Sequence, residues 1–212
     1  MIPAVISDYL NRQQARYSLL SHPPAYSAQE EAAAAHVKGR EWAKTVVCFA
    51  DGQPILAVVP APFGVDLNRL QQAAGARSVR LAHESELAAL YQDCELGAVP
   101  PLGPLFGQPV YVDEQLARDP EVAFSAGSHE EAIRMPYAEF ERLVHPTVAD
   151  IALRPASPRL PRTSTFTDPV CGRGIDRHAA VWRSEHAGEV YYFCSQSCKM
   201  EFDDNPSAFL EG

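Results

Sequence analysis

The chain has 212 residues, 46% of them hydrophobic and 21% charged, and its formal net charge is −9. This composition is typical of a folded globular protein and argues against wholesale disorder, and no apolar run reaches the ~18 residues needed to span a bilayer. A chain this acidic is poorly suited to holding nucleic acid on a broad basic face, so we expect any such contact to be local, as at the small cluster of Lys38, Arg40 and Lys44. For Lys38 and Arg40, solvated surface charge is the favoured interpretation.

The first third of the chain predicts two helices and a hairpin. Residues 3–16 predict an opening helix, and Ser27 with Glu30 forms the S-x-x-E pattern of a capping box ahead of a run of alanines. Residues 43–60 predict a β-hairpin, because "AKTVVCFA" and "PILAVVP" flank the turn Asp51-Gly52.

Shorter helices and strands follow. Asp66 predicts the cap of a helix that stops at Gly75, residues 77–82 predict a strand, and residues 84–91 predict a helix. Three further strands and a last helix are expected at 109–113, 121–126, 131–135 and 136–143. Hairpins outnumber βαβ units, so we predict an α+β fold with a mixed, largely antiparallel, barrel-like sheet surrounded by helices.

Composition divides the chain into two parts. Residues 151–165, "IALRPASPRLPRTST", contain three prolines and three arginines and no apolar period, which is typical of an exposed linker. We therefore predict a domain over 1–150 and a small cysteine-containing module over 166–212. The N-terminus lacks the features of a signal peptide, and the five cysteines indicate intracellular thiols or metal ligands, so we expect a soluble cytoplasmic protein.

The stretch "DCELGAVPPLGPLFG" at 93–107 combines a cysteine with a stiff loop. Asp93 and Glu95 disfavour the thiolate of Cys94, which argues against a nucleophile, and Cys48 lies mid-strand in an apolar run, as a core residue would. The glycines and prolines that follow Cys94 predict a rigid wall suited to a small side chain or an acyl group. An ordinary proline-rich connection is the alternative.

Three strings in this part of the chain resemble one family. "YSLLSHPPAYSAQEEAAAAHVKGREWAKTVVCF", "DCELGAVPPLGPLFG" and "FSAGSHEEAIRM" occur in the order and with the spacing of the YbaK-type aminoacyl-tRNA deacylases, a fold also inserted as an editing domain in some prolyl-tRNA synthetases. The resemblance spans nearly all of residues 5–148. Ser125 stands where many relatives carry Asn, and the loop has a double proline, so the amino acid that is removed stays open.

The resemblance implies the site residues. It makes Lys44 necessary for deacylation and His129 a second catalytic candidate, in a reaction that needs no cofactor. It also implies that the partner is the aminoacylated 3′ end of a tRNA, with or without a synthetase. The substrate-binding residues it implies are Gly97, Ala98, Val99, Pro100, Pro101, Gly103, Gly127 and Ser128. The alternatives are a solvated lysine at a strand edge, exposed at its tip, and a histidine in a surface turn.

Chemistry agrees with that role. An aminoacyl ester is already activated, so its hydrolysis needs positioning and charge stabilisation more than a protein nucleophile. The ammonium of Lys44 is a compact point charge that suits either a developing oxyanion or the terminal phosphate of a tRNA.

The tail carries three cysteines, spaced C-x22-C-x3-C at Cys171, Cys194 and Cys198. A module this small rarely folds on a hydrophobic core alone, and three thiols favour Zn²⁺ or Cu(I). The strings "DPVCG" and "YYFCSQSC" and the F-x3-P spacing make the tail resemble a YHS domain, whose cysteines are regarded as metal ligands.

A tetrahedral ion needs a fourth ligand, for which His186 is the first candidate, followed by His178 and Asp168. A trigonal thiolate site and an empty site are the alternatives. Arg173 stands where many relatives have Met, which favours zinc over copper.

Two functions from different classes follow. The first is a trans-editing hydrolase that deacylates a mischarged tRNA and carries a metal-binding tail. The second is a non-catalytic, metal-responsive binding or metal-delivery protein that acts through the tail.

Overall fold

The computed structural model describes residues 2–154, 165–176 and 182–210. Most of the predicted linker, residues 155–164, lies outside the described residues, and so does the candidate ligand His178.

The chain forms two compact units, Met1–Pro155 and Ala156–Gly212. The first unit extends beyond residue 150 because the fully buried carboxylate of Asp113 accepts hydrogen bonds from the backbone N–H groups of Ile151 at 3.1 Å and Ala152 at 2.8 Å. Residues that the sequence assigned to the start of the linker are therefore part of the packed first unit.

The first unit contains short helices and strands in alternation. Its helices are α1 Ala4–Arg12, α2 Ala28–Ala34, α3 Leu67–Ala74, α4 Glu84–Leu90, α5 Gly103–Phe106, α6 Glu114–Arg118 and α7 Tyr137–Val144. Its strands are β1 Ser18–Ser21, β2 Ala43–Ala50, β3 Gln53–Pro60, β4 Gly64–Val65, β5 Val79–Leu81, β6 Val110–Asp113, β7 Glu121–Ser125, β8 Glu131–Pro136, β9 Thr147–Ala149 and β10 Ala152–Leu153.

Two main sheets are built from these strands. One has five strands in the order β5-β2-β3-β6-β9, antiparallel from β5 to β3 and parallel from β3 to β9. The other has three antiparallel strands in the order β1-β8-β7, and an isolated bridge between Trp42 and Ala123 connects the two sheets. The predicted mixed, largely antiparallel α+β fold is confirmed, although the sheets do not close into a barrel within the described residues.

The helix ends follow local sequence signals. Ser27 and Glu30 exchange hydrogen bonds between side chain and backbone, so the predicted capping box begins α2. Asp66 caps α3, and Gly75 ends it with a left-handed φ of 62°. The opening helix is shorter than predicted and ends at Arg12, since Gln14 already adopts a positive φ of 51°.

The core of the first unit lies between the sheets and the helices. Its largest fully buried side chains include Trp42, Phe124, Phe140 and Leu10. Burial of each such side chain contributes about 1.5–3 kcal/mol. This packing fixes β2, α2 and the segment after β7, which carry the candidate site residues of the first unit.

The described part of the second unit, residues 165–176 and 182–210, forms small antiparallel strand pairs and two helices. Its elements are β11 Thr165–Thr167, β12 Gly174–Asp176, β13 Trp182–His186, β14 Glu189–Phe193, α8 Gln196–Asp204 and α9 Ser207–Leu210. Strand β11 pairs with β12 and β13 with β14, both antiparallel.

The apolar centre of the second unit is small. Ile175, Phe193 and Phe202 are buried, and the ring of Tyr192 stacks on Phe166 with centroids 4.0 Å apart. Trp182 is exposed. Among the residues of this unit that the structure describes, so few buried apolar side chains supply little hydrophobic stabilisation, as expected for a module that uses another source of stability.

None of the helices formed by the described residues combines the length and the apolar character needed to cross a lipid bilayer.

Candidate active site and candidate metal centre

Lys44 lies near the start of β2, opposite Val59 of β3. Its ammonium donates hydrogen bonds to the carbonyl oxygens of Phe63 and, at 3.4 Å, Ala61. The residue is half-buried, and this burial lowers the pKa of Lys44. Carbonyl oxygens are neutral, so they orient the ammonium without cancelling its charge, and one of its three protons is left for a ligand.

A cleft of about 430 Å³ opens beside Lys44. Its walls come from residues 26–29 at the start of α2, residues 44–45 of β2, residues 61–64 after β3, and Gly97. The fold thus brings Lys44 and the first glycine of the predicted loop onto one cleft, although 53 positions of sequence numbering separate them.

A second, smaller pocket of about 220 Å³ shares two wall residues, Thr45 and Gly97, with this cleft. Its other lining side chains are apolar: Val46, Val47, Leu81, Ala82, Leu87 and Val99. Such a lining suits an apolar group and offers no charge to pair with an ionised one.

The glycine-proline loop contributes unequally to these two spaces. Gly97 is exposed with φ 94° and lines both, and Val99 lines the apolar pocket. The other residues that we predicted here are buried and support the wall: Ala98, Pro100, Pro101 and Gly103. A Cβ at Gly103 would lie 2.3 Å from the carbonyl oxygen of Gln108, so close packing requires glycine at that position.

Gly127 and Ser128 lie behind the loop and outside the lining of the cleft. The N–H of Glu95 donates to the Gly127 carbonyl at 2.9 Å, and the N–H of Gly127 donates to the Ala98 carbonyl at 3.1 Å. Gly127 has φ 92°, and a Cβ there would lie 2.8 Å from Ile6 of α1. These contacts make the segment a support for the loop.

His129 also lies directly behind Gly97. Its ring is 13% exposed, with Nε2 2.9 Å from the carbonyl oxygen of Leu96 and Nδ1 3.2 Å from Oε1 of Glu31. A carbonyl oxygen only accepts, so Nε2 must carry a proton and donate it. A Cβ at Gly97 would lie 3.4 Å from Cε1 of His129. The predicted second catalytic residue therefore contacts Gly97 of the cleft wall but is not among the residues that line the cleft.

Glu31 is a functional candidate that sequence reasoning missed. The residue is 2% exposed, and its carboxylate accepts a hydrogen bond from the Ser125 hydroxyl at 2.7 Å. Burial raises the pKa of Glu31, and hydrogen bonds from Ser125 and His129 oppose that rise. In the sequence, Glu31 follows Glu30 on a helix, where no local pattern marks it as buried.

The two cysteines of the first unit are poor nucleophiles. Burial, followed by the charge of Asp93, raises the pKa of Cys94 to about 11. Burial alone raises the pKa of Cys48, which is fully buried in the core, to about 11. Both thiols stay protonated at neutral pH, as the sequence predicted, although burial exceeds the neighbouring acids as the cause at Cys94.

The second unit brings its three cysteines together around Asp168. One ligand atom from each of Asp168, Cys171, Cys194 and Cys198 lies within 4.8 Å of all the others. The sulfur of Cys194 is 3.5 Å from that of Cys171 and 3.9 Å from that of Cys198. Thiolates on one tetrahedral Zn²⁺ lie roughly 3.8 Å apart, given Zn–S bonds of about 2.3 Å, so this cluster fits a single metal ion.

His186, the first candidate for the fourth ligand, is not part of this cluster of described residues. Its ring packs edge-on against Phe202, with centroids 6.3 Å apart. Asp168, a lower-ranked candidate, occupies the fourth position of the cluster instead.

Asp168 also organises the backbone of both cysteine loops. It is fully buried, and its carboxylate accepts from the N–H groups of Cys194 at 2.8 Å and Val170 at 2.9 Å. Burial would raise the pKa of Asp168, but the hydrogen bonds from Cys194 and its neighbours outweigh it and hold the pKa at about 2. The contacts with Asp168 and then Cys171 raise the pKa of Cys194 to about 12. A cation that binds here must therefore displace a proton.

Comparison with known families gives a match for each part of the chain. Residues 22–143 match the aminoacyl-tRNA editing domain, and residues 166–212 match the YHS domain. A curated relative of the tail, a copper-transporting P-type ATPase from Rhizobium leguminosarum bv. viciae, is 42% identical over 43 residues. Those residues are 20% of this chain but only 5% of that protein.

Solved structures resemble the first unit. A candidate trans-editing enzyme for prolyl tRNA synthetase is 25% identical, with a TM-score of 0.62 over 70% of this chain and 94% of that one. A structure from work on epitope grafting onto scaffold proteins by computational design is 24% identical, with a TM-score of 0.64 over 71% of this chain and 96% of that one, and shows the shared fold alone. The chain belongs to the aminoacyl-tRNA editing domain family and carries a YHS domain over residues 166–212.

Proposed function

We propose that the protein is a trans-editing hydrolase that removes the amino acid from a mischarged tRNA in the cytoplasm, with Lys44 as its principal catalytic residue. The observation that carries the proposal is the cleft itself, in which the ammonium of Lys44 and the backbone at Gly97 line one space. The family match and the structural resemblance to a candidate editing enzyme support the same reaction class.

The reaction needs little from side chains. A water molecule attacks the ester carbonyl carbon, the carbonyl oxygen gains negative charge, and the bond to the ribose oxygen then breaks as that oxygen takes the proton given up by the water. The Lys44 ammonium donates two hydrogen bonds to the carbonyl oxygens of Ala61 and Phe63, so its third N–H is available to the substrate, where it stabilises the developing oxyanion. The editing unit uses no cofactor in this scheme.

The apolar pocket beside the cleft suggests the class of amino acid. An aminoacyl ester whose carbonyl faces Lys44 has its side chain adjacent to Thr45 and Gly97, the two residues that the cleft and the pocket share. The pocket has no ionisable side chain in its lining, so charged amino acids would lose their hydration without compensation. We therefore assign uncharged, mainly apolar side chains to this pocket, with Gly97 and Val99 as its loop residues.

Recognition of the tRNA is confined to its 3′ end in this scheme. The net charge of −9 opposes a broad phosphate-binding face. Lys44 supplies local positive charge at the cleft, and a synthetase that presents the mischarged tRNA would supply the remaining affinity.

A panel of mischarged tRNAs, each labelled in its amino acid, tests the proposal. Incubation with the full chain should release the amino acid from a member of the panel whose amino acid has an uncharged side chain. Correctly aminoacylated tRNAs whose amino acid has an ionised side chain should stay intact. No release from any member would refute the assignment.

A second function rests on the cysteine cluster. The group of Asp168 and three cysteines fits one metal ion, and the tail resembles part of a copper-transporting ATPase. We propose that the YHS domain binds zinc or copper, with Cys171, Cys194 and Cys198 as ligands and Asp168 as the fourth. If the first unit proved inactive, a metal-responsive or metal-delivery role of the tail would be the remaining function, and elemental analysis of the purified protein decides whether the metal is present.

A further inference from the structure

Glu31 is a buried carboxylate that the proposed reaction does not use. It lies on α2 and is 2% exposed, and it contacts the side chains of Ser125 and His129, which lie 94 and 98 positions further along the chain. Ionisable groups are rarely buried without partners, because desolvation is costly. Its contacts therefore indicate that Glu31 has a specific role in the interior of the first unit.

A continuous chain of hydrogen bonds leads from Glu31 to the cleft. Ser125 at the end of β7 donates to Oε2 of Glu31 at 2.7 Å, and His129 approaches Oε1 with Nδ1 at 3.2 Å. On its other side, Nε2 of His129 donates to the carbonyl oxygen of Leu96 at 2.9 Å. That carbonyl belongs to the peptide bond that connects Leu96 to Gly97.

The peptide before Gly97 needs such support. Gly97 has φ 94°, lines both the Lys44 cleft and the apolar pocket, and has Cε1 of His129 within 3.4 Å of the place its Cβ would take. The backbone N–H of His129 also donates to Glu95 at 2.8 Å, so the histidine holds the loop at two points. With both ring nitrogens engaged, His129 is a positioning residue rather than one that touches the substrate.

We propose that Glu31 is the positioning residue that fixes the wall of the cleft, by holding His129 in the orientation in which it anchors the Leu96–Gly97 peptide. The proposal rests on the proposed deacylase function for its kinetic consequence, but its structural consequence is independent of that function. Ser125, which stands where many relatives carry Asn, acts in the same chain by holding the second oxygen of Glu31.

The test compares Glu31→Gln with a matched control in the full chain. The control is Glu139→Gln, which also neutralises a buried glutamate (5% exposed), but one that binds Arg142 on α7. The first readout is the ring Nε2–H signal of His129 in an imidazole-selective ¹⁵N NMR spectrum. We expect a signal protected from solvent exchange in the wild type and in Glu139→Gln, and loss of protection in Glu31→Gln.

The second readout is single-turnover deacylation. Loss of positioning by about 1 Å costs on the order of 10²-fold in rate, so we expect Glu31→Gln to lower the rate at saturation by roughly 10- to 100-fold with a smaller effect on tRNA affinity. Glu31→Asp, which keeps the carboxylate, should recover part of that loss. If Glu31→Gln does not fold, Ser125→Ala removes one bond of the chain and should weaken the same NMR signal.

The outcomes separate the two hypotheses. A protected His129 signal together with unchanged turnover in folded Glu31→Gln would overturn the positioning role. Absence of turnover in the wild type would overturn the deacylase function, and the NMR comparison would then still decide whether Glu31 orders His129.

Discussion

Lys44→Ala is the change with the largest expected effect on activity. The ammonium is held by two carbonyl oxygens at the edge of the cleft. A unit charge about 4 Å away, at an effective dielectric constant of about 20, interacts with it by about 4 kcal/mol, which corresponds to about 10³ in rate. The cleft is open to solvent, so we expect a loss of about 10²–10³ in single-turnover rate, similar to the loss of one oxyanion donor.

Stability should change less than activity. Truncation removes one close charge-assisted hydrogen bond, to Phe63, and one long one, at 3.4 Å, to Ala61. The close bond accounts for a cost of about 1.5–3 kcal/mol, which lowers Tm by about 3–12 °C. Lys44→Arg keeps the charge, but the planar guanidinium does not fit the space between two carbonyls, so activity should be lost in part.

The assay is release of labelled amino acid from a saturating excess of protein over mischarged tRNA. Lys38→Ala is the matched control, because Lys38 is an exposed lysine that pairs with Glu41 on the surface, and it should leave rate and Tm unchanged. If Lys44 only anchors the terminal phosphate, tRNA affinity will fall while the rate at saturation survives. Full activity in both Lys44 variants would refute a catalytic role of the Lys44 ammonium.

Four further predictions concern other residues. Cys94→Ala should stay within about twofold of wild-type turnover, because its thiol is protonated with a pKa of about 11; a larger loss in the deacylation assay would restore a nucleophilic role. Gly97→Ala should lose at least ~10-fold in turnover and about 1 kcal/mol in urea-determined stability, since alanine is strained at φ 94°. Cys194→Ser should release bound metal, measured by elemental analysis, and make residues 166–212 protease-sensitive, whereas a metal-free but protease-resistant tail would contradict it. The hydrogen bond from Arg142 lowers the pKa of Glu139 to about 2, so its contribution is complete above about pH 5 and is lost as pH falls towards 2; Glu139→Gln should therefore flatten the fall of Tm over that range.

Local chemistry made much of the fold predictable. The capping box at Ser27, the Asp51-Gly52 hairpin and the caps of α3 depend on residues within a few positions of each other, and the structure has each of them. The residue at which α1 ends was not predictable in this way, because glutamine is not a residue type that favours the positive φ that Gln14 adopts.

The candidate sites show where such reasoning ends. Lys44 and the glycine loop were found through family motifs. Glu31, in contrast, contacts His129 across 98 positions of the chain, and no local sequence pattern indicates a contact between residues so far apart. Asp168 was ranked below His186 as a ligand because His186 lies just before the Gly188 turn and the strand that leads to Cys194. Its selection in the structure depends on the turn at Cys171 and the N–H of Cys194, which only the folded chain brings together.

The most direct test of the central claim is hydrolysis of mischarged aminoacyl-tRNA by the full chain and by Lys44→Ala, side by side. The wild-type protein should release at least one uncharged amino acid from its tRNA, and Lys44→Ala should be about 10²–10³ slower under single-turnover conditions while remaining folded. The deacylase assignment would be contradicted if the wild-type protein released no amino acid from any tRNA of the panel and yet bound metal through Cys171, Cys194 and Cys198.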